Sequence, residues 1–334
     1  MMGQADSERP FRPAWWLPGA HLQTIVPNLL VWGRRPMLRR ERVTLPDDDF
    51  LSLDWGPDPG GPIVLLLHGL AGSSRSAYAV SLLRALHAHG FWAGVMHFRG
   101  AGGEPNRQLR GYHMAEGDDP REVVMQLRRR YPRRAVAAVG VSLGGSALLH
   151  ALARDGADAL LDCAVVVSVP YRLHIAERCL NRGVARLYQR RILEELKRQW
   201  RRKCRVLARL DLCAGLDEMR SFRQFDARIT APIHGFANVD DYYDRASSIH
   251  VLGEIRVPTL LIHAANDPFM TPDGLPAPED LSEPVTLECH RRGGHAGFLE
   301  RTGRRYLARR IPAFLSQHLR ETMTGADCQL SREN

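Results

Sequence analysis

The serine at position 142 sits between two glycines, in Gly140-Val141-Ser142-Leu143-Gly144. A serine hydroxyl is a weak nucleophile at neutral pH. It becomes reactive when a base takes its proton and a third group orients that base. Two downstream segments offer partners of the right type: Asp267 in Ala265-Asn266-Asp267-Pro268-Phe269, and His295 in Gly293-Gly294-His295-Ala296-Gly297. Ser142, His295 and Asp267 are therefore expected to act as nucleophile, general base and orienting acid of an acyl-transfer site. Such chemistry also needs amides aimed at the developing oxyanion. Leu143, directly after the serine, offers one. Leu70, in His68-Gly69-Leu70-Ala71-Gly72, offers the second, with His68 and Gly69 shaping the loop.

Each residue has a plainer reading. Asp267 precedes Pro268 and would serve as a turn-initiating residue. Asp240, Asp241 and Asp244 are rival acids, ranked lower because they precede the later strands. His295 could be an ordinary loop histidine, although its flanking glycines suit a loop that brings an imidazole close to another backbone; His290, inside a strand-like run, is the weaker alternative. The 14 histidines do not form an H-E-x-x-H or other close ligand pair, so neither a metal nor a cofactor is expected.

Positioning these residues requires a particular frame. Ile63 to Leu67, Ala93 to Phe98, Ala135 to Val141, Ala164 to Val169, Thr259 to His263 and Val285 to Cys289 are short apolar runs suited to strands buried on both faces. Arg42 to Trp55 reads as an edge hairpin around the acidic turn Pro46-Asp47-Asp48-Asp49. Helical stretches at Ala77 to His89 and Pro120 to Tyr131 complete a βαβα rhythm, which predicts a mostly parallel sheet flanked by helices. Ser142 then falls at a strand–turn–helix junction, where Gly140 and Gly144 would let strand and helix approach closely. Ser, then acid, then His is the chain order of the α/β-hydrolase fold. Asp267 and His295 both follow strand ends, which gathers all three side chains at the carboxyl edge of the sheet.

The rhythm breaks between Pro170 and Pro258. A helical cap or lid is expected over residues 171–257, with the core in 1–170 and 258–324 and a polar tail in 325–334. The long helix candidate Ile192 to Leu210 places Ile192, Leu196, Trp200, Cys204, Leu207 and Leu210 on one stripe, with Lys203 alone among them as a cation, and Arg190, Glu194, Arg198, Arg201 and Arg205 opposite.

The formal net charge of +9 is concentrated in this region. Arg182 to Arg209 holds eleven Lys or Arg against two acids, a surplus that equals that of the whole chain. Confinement to one amphipathic helix argues against a nucleic-acid partner and favours a solvated cap face; peripheral contact with an anionic membrane is the sharper alternative. The six cysteines lack disulfide-framework or C-x-x-C spacing, so free thiols in a reducing compartment are expected. Neither a signal peptide nor a membrane-spanning run is evident, which points to a cytoplasmic location.

Several segments together resemble the YheT-like branch of the α/β-hydrolases, which also holds abhydrolase-domain lipases. They are His21-Leu22-Gln23-Thr24-Ile25, the His68 loop, Phe98-Arg99-Gly100 with Tyr112-His113, the Ser142 turn, Phe236 to Tyr243, Asn266-Asp267-Pro268-Phe269 and Gly294-His295-Ala296-Gly297-Phe298. The resemblance spans nearly the whole chain. It implies carboxylesterase or acylglycerol lipase activity on short to medium acyl chains, with the same triad. Acyl transfer to an alcohol, thioester cleavage and a non-catalytic binding scaffold are the alternatives.

Overall fold

The computed structural model describes residues 9–29 and 34–330. In chain order it contains α1 (Gly19–Leu29), β1 (Arg39–Thr44), β2 (Phe50–Trp55), β3 (Ile63–Leu67), α2 (Ala77–Ala88), β4 (Trp92–His97), α3 (Asp118–Arg130), β5 (Val136–Val141), α4 (Leu143–Asp155) and β6 (Cys163–Val167). There follow α5 (Leu173–Leu180), α6 (Ala185–Val206), α7 (Val239–Arg245), β7 (Thr259–Ala264), β8 (Val285–His290) and α8 (Tyr306–Leu330), with short helical turns between. α8 thus continues through 325–330, part of the stretch expected to be a tail; residues 331–334 lie outside the described residues.

The strands form one sheet in the order β1-β2-β4-β3-β5-β6-β7-β8. The hairpin β1–β2 is antiparallel, as is β2 against β4, and every pair from β4 to β8 is parallel. The chain reverses its direction of travel across the sheet between β3 and β5. The loops leaving those two neighbouring strands therefore diverge, opening a crevice at their carboxyl ends. The His68 loop and Ser142 stand there.

Side-chain alternation divides the core into two layers. Ile63, Leu65 and Leu67 face a cluster containing Val123, Leu127, Leu148 and Leu152 of α3 and α4. Val64 and Leu66 face Leu82 and Leu86 of α2 together with Ile311 and Leu315 of α8. All five β3 residues are fully buried. Each is worth about 1.5–3 kcal/mol relative to exposure, which explains why runs of continuous apolar residues rather than alternating ones mark these strands.

Arg99 ties the hairpin to the parallel sheet. Its guanidinium donates two bonds to Asp119 (2.9 and 2.8 Å) and one each to Asp47 (2.6 Å) and Asp49 (2.9 Å). The acidic turn expected from the sequence is thus a counter-charge for a buried arginine.

α6 differs from the sequence expectation. It starts seven residues earlier, at Ala185, and ends at Val206, just before Ala208 adopts a left-handed φ of 51°. Its buried residues include Gln189, Leu193, Lys197, Trp200, Lys203 and Cys204. Ile192 and Leu196 line a cavity, Leu196 also packing against the cluster of Leu193, Trp200 and Cys204, and Leu210 is 65% exposed. Lys197 is buried because its ammonium donates to the Met219 carbonyl (2.8 Å) and pairs with Glu194 (3.0 Å). Five cysteines, Cys163, Cys179, Cys204, Cys213 and Cys289, are free thiols; the side chain of Cys328 lies outside the described residues. No helix among the described residues is long and apolar enough to cross a membrane.

Candidate active site

β5 delivers the chain to Ser142 and α4 carries it away. Ser142 sits at φ 54°, ψ −118°, a region that costs a non-glycine residue about 1–3 kcal/mol and persists only when surrounding contacts hold it. Those contacts are present: the Ser142 amide donates to the Val167 carbonyl (2.8 Å), and its own carbonyl accepts from the amides of Gly145 (3.0 Å) and Ser146 (3.1 Å). The two flanking glycines are required by close approach. A Cβ on Gly140 would lie 2.5 Å from the Gly144 carbonyl oxygen, and one on Gly144 would lie 2.4 Å from that of Leu67. Leu143 opens α4, so its amide has no intrahelical acceptor and points from the positive end of the helix dipole.

Asp267 follows β7, and its two carboxylate oxygens bond in different directions. Its Oδ1 accepts from the Phe269 amide (2.8 Å), closing a turn, while its Oδ2 accepts from His295 Nδ1 (2.8 Å). The Asp267 side chain is 1% exposed and that of His295 11%. Burial pushes the Asp267 carboxyl pKa up, but the adjoining His295, His263 and the Phe269 amide outweigh it and hold it below the usual carboxylate value. The group therefore stays charged and fixes the imidazole tautomer with Nδ1 protonated and Nε2 free to accept. Phe269 stacks on the His295 ring at 4.0 Å and 19°.

His263, one turn of chain before Asp267, escaped the sequence reading. Its Nε2 lies 3.6 Å from Asp267 Oδ2, and burial pushes its pKa down to about 4, so a neutral ring backs the carboxylate. The only sequence signal was its place at the end of a buried strand. The rival acids lie elsewhere: Asp240 pairs with Arg223, Asp241 with Arg245 and Asp244 with His174. His290 bonds Glu288 (2.9 Å).

The loop after β3 is held from behind. The Gly69 amide donates to Tyr78 Oη (2.9 Å), and His68 Nδ1 donates to the Gly69 carbonyl (2.8 Å). Burial pushes the His68 pKa down to about 3, leaving the ring neutral. A Cβ on Gly69 would sit 3.3 Å from the Ser142 Cβ, so the loop presses against the serine. Leu70, Leu143, Ser142 and His295 border one cavity. Tyr78, like His263, was not foreseen.

Residues 62–302 match the profile of the alpha/beta hydrolase fold family. YheT of Escherichia coli (strain K12), which carries a provisional esterase name, is 39% identical over 323 residues, covering 94% of this chain and 95% of YheT. The chain belongs to the YheT-like branch of the α/β-hydrolase fold family. The monoacylglycerol lipase of Saccharomyces cerevisiae is 31% identical over 83% of this chain and 63% of its own length, so the match spans somewhat under two thirds of that relative. Phospholipase ABHD3 of Mus musculus is 29% identical over 87% of this chain and 73% of the mouse protein. Among solved structures, the Pyrococcus furiosus esterase Pf2001 superposes with a TM-score of 0.54 at 18% identity, covering 84% of this chain and 91% of that one, which speaks to fold alone.

In this YheT-like chain the cavity measures about 750 Å³. Its walls include Leu29 of α1, Leu173 and Leu180 of α5, Leu187 and Leu196 of α6, and Phe225. Among the described residues, His113, Glu116 and His234 form a cluster whose ligand-type atoms lie within 4.8 Å of one another. Their bonding fits a metal poorly. His113 Nδ1 accepts from the Ala115 amide (3.2 Å) and His234 Nε2 from the Gly111 amide (3.2 Å), while Glu116 Oε1 accepts from Arg110 (2.6 Å). The imidazole lone pairs are spoken for. The cluster instead joins the core loop after β4 to the helical region before α7.

Proposed function

We propose that this chain is a serine hydrolase that cleaves carboxylic esters by two-step acyl transfer. The observation that carries the reading is the 2.8 Å bond from His295 Nδ1 to Asp267, at the rim of the cavity that Ser142 also borders. His295 Nε2 takes the Ser142 proton as Oγ attacks the ester carbonyl, and the amides of Leu70 and Leu143 hold the oxyanion. Collapse expels the alcohol, protonated by His295, and leaves an acyl-enzyme. Water, activated by the same imidazole, then releases the acid. The reaction needs no cofactor.

The substrate class follows from the cavity. A volume of about 750 Å³ with mostly apolar walls suits an acyl chain of short to medium length, possessed by acylglycerols among other esters. The lipase and phospholipase names of the relatives support that class. Residues 171–257 act as a cap, since α5, α6 and α7 contribute cavity walls opposite the sheet edge. Its basic face, with exposed Arg186, Arg190 and Arg191 beside exposed Val184 and Leu187, docks on anionic lipid and presents the cavity to it.

The test is hydrolysis of p-nitrophenyl esters from acetate to palmitate and of monoacylglycerols, comparing the native chain with Ser142→Ala. The native chain should turn over the shorter and middle members, and the variant should fall to background. Equal rates for the two chains would refute the assignment.

A further inference from the structure

The segment His21-Leu22-Gln23-Thr24, near the amino terminus, lies in α1, and nothing in the proposed chemistry calls for it. Two of its polar side chains are nonetheless buried: Gln23 is 4% exposed and Thr24 5%. Both point at the loops that carry the acid and the base. Gln23 Oε1 accepts from the Gly293 amide (3.0 Å) and from Asn266 Nδ2 (3.0 Å). Gln23 Nε2 is spent on the Leu17 carbonyl (2.9 Å). Thr24 Oγ1 accepts from the His295 amide (2.9 Å) and donates to the Ala20 carbonyl (2.8 Å).

Four consecutive amides of the histidine loop are thereby assigned. Gly293 goes to Gln23, Gly294 to Asn266 Oδ1 (3.1 Å), His295 to Thr24 and Ala296 to Ser168 Oγ (3.0 Å). The His295 carbonyl also accepts from Asn28 of α1 (3.3 Å). Of these partners only Ser168 lies outside α1 and the residue that Gln23 itself holds. The contact is close as well as polar. A Cβ on Gly294 would sit 2.7 Å from the Gln23 carbonyl carbon and the Thr24 nitrogen, and one on Gly297 would lie 1.9 Å from the Gln23 carbonyl oxygen.

We propose that α1 is a positioning element for the triad, with Gln23 and Thr24 setting His295 against Asp267 and Ser142. The inference rests on the serine-hydrolase reading above. The acid and histidine loops leave different strands, β7 and β8, and Gln23 Oε1 takes one hydrogen bond from each. It fixes their relative position independently of the His295–Asp267 bond. Thr24 fixes the backbone from which the imidazole projects. A side-chain displacement of about 1 Å at such a site costs on the order of 100-fold in rate.

Diethyl p-nitrophenyl phosphate provides the test. The activated Ser142 Oγ displaces p-nitrophenolate from phosphorus, His295 takes the serine proton, and each working site releases one p-nitrophenol. Rate and endpoint are thus read separately. Thr24→Val and Gln23→Ala should reach the native endpoint roughly 10–100-fold more slowly, and should lower kcat on esters by the same factor with KM within about twofold. Thr24→Ser, which keeps the hydroxyl, should restore the native rate. Leu22→Ala, on the exposed face of the same helix, should leave it unchanged. A native labelling rate in Thr24→Val would overturn the proposal. So would a reduced endpoint with the surviving sites reacting at the native rate, which marks a folding role alone. If Gln23→Ala does not fold, the Thr24 pair still decides. Failure of the native chain to be labelled at Ser142 would remove the underlying reading, a result distinct from a native-like Thr24→Val.

Discussion

Replacing Asp267 by asparagine separates its two roles. Asparagine preserves the size of the side chain, and its oxygen still accepts from the Phe269 amide, so the turn before Pro268 survives. The change falls on the 2.8 Å bond to His295. An amide NH2 now faces Nδ1, which must turn into an acceptor, and the ring proton moves to Nε2. An imidazole protonated there cannot take the Ser142 proton. Bulk water is kept from correcting the tautomer, since the Asp267 side chain is only 1% exposed. The equivalent change in a serine-protease triad costs about 10⁴ in kcat, which is about 5.4 kcal/mol of transition-state stabilisation. A loss of that order is expected in kcat on p-nitrophenyl butyrate near neutral pH, with a melting temperature close to native. If Asp267→Asn keeps more than about a tenth of the native kcat, the residue is a turn former and another group orients His295.

Three further outcomes follow from the same contacts. Arg99→Met should destabilise the chain by about 3–5 kcal/mol in urea melts, because it leaves Asp49 and Asp119 buried without their counter-charge; a loss under about 1 kcal/mol would mean those carboxylates find other partners. Glu288 bonds His290, Tyr306 and Arg310, and although burial opposes it these partners depress its pKa from 4.5 to about 2. Its stabilisation is therefore complete above about pH 4.5 and is lost as pH falls through about 2. Glu288→Gln should accordingly be less stable than native at pH 7 by about 2 kcal/mol, a gap that closes in acid; a pH-independent gap would contradict the assignment. Reversing Arg186, Arg190 and Arg191 to glutamate should abolish co-sedimentation with phosphatidylglycerol vesicles, and equal native binding to phosphatidylcholine would dismiss the basic face as a docking surface.

The local code carried much of this protein. Continuous apolar runs such as Ile63–Leu67 must be buried, and their shortness and β-branched content suit strands covered on both faces, so their positions read directly from the sequence. The strand–Gly-x-Ser-x-Gly–helix order carries Ser142 to the sheet edge because only glycine fits where Gly140 and Gly144 meet neighbouring backbone. Asp267 and His295 could be ranked as candidates because they follow strands. What the sequence could not supply was whatever depends on distant chain meeting. The Gln23–Gly293 bond joins residues 270 apart, and no periodicity encodes it. His263 and Tyr78 are ordinary strand-end and helix residues until the fold lays them behind Asp267 and Gly69. The faces of α6 were legible only in part: Trp200 and Cys204 are buried and Arg190, Glu194, Arg198 and Arg205 exposed as the wheel places them, while Lys197 and Ile192 depart from it. A helical wheel ranks side chains by polarity, whereas the tertiary structure offers Lys197 a buried carbonyl and leaves Ile192 and Leu196 on a cavity. Local propensity chose the elements; burial partners contributed by remote chain decided what each face does.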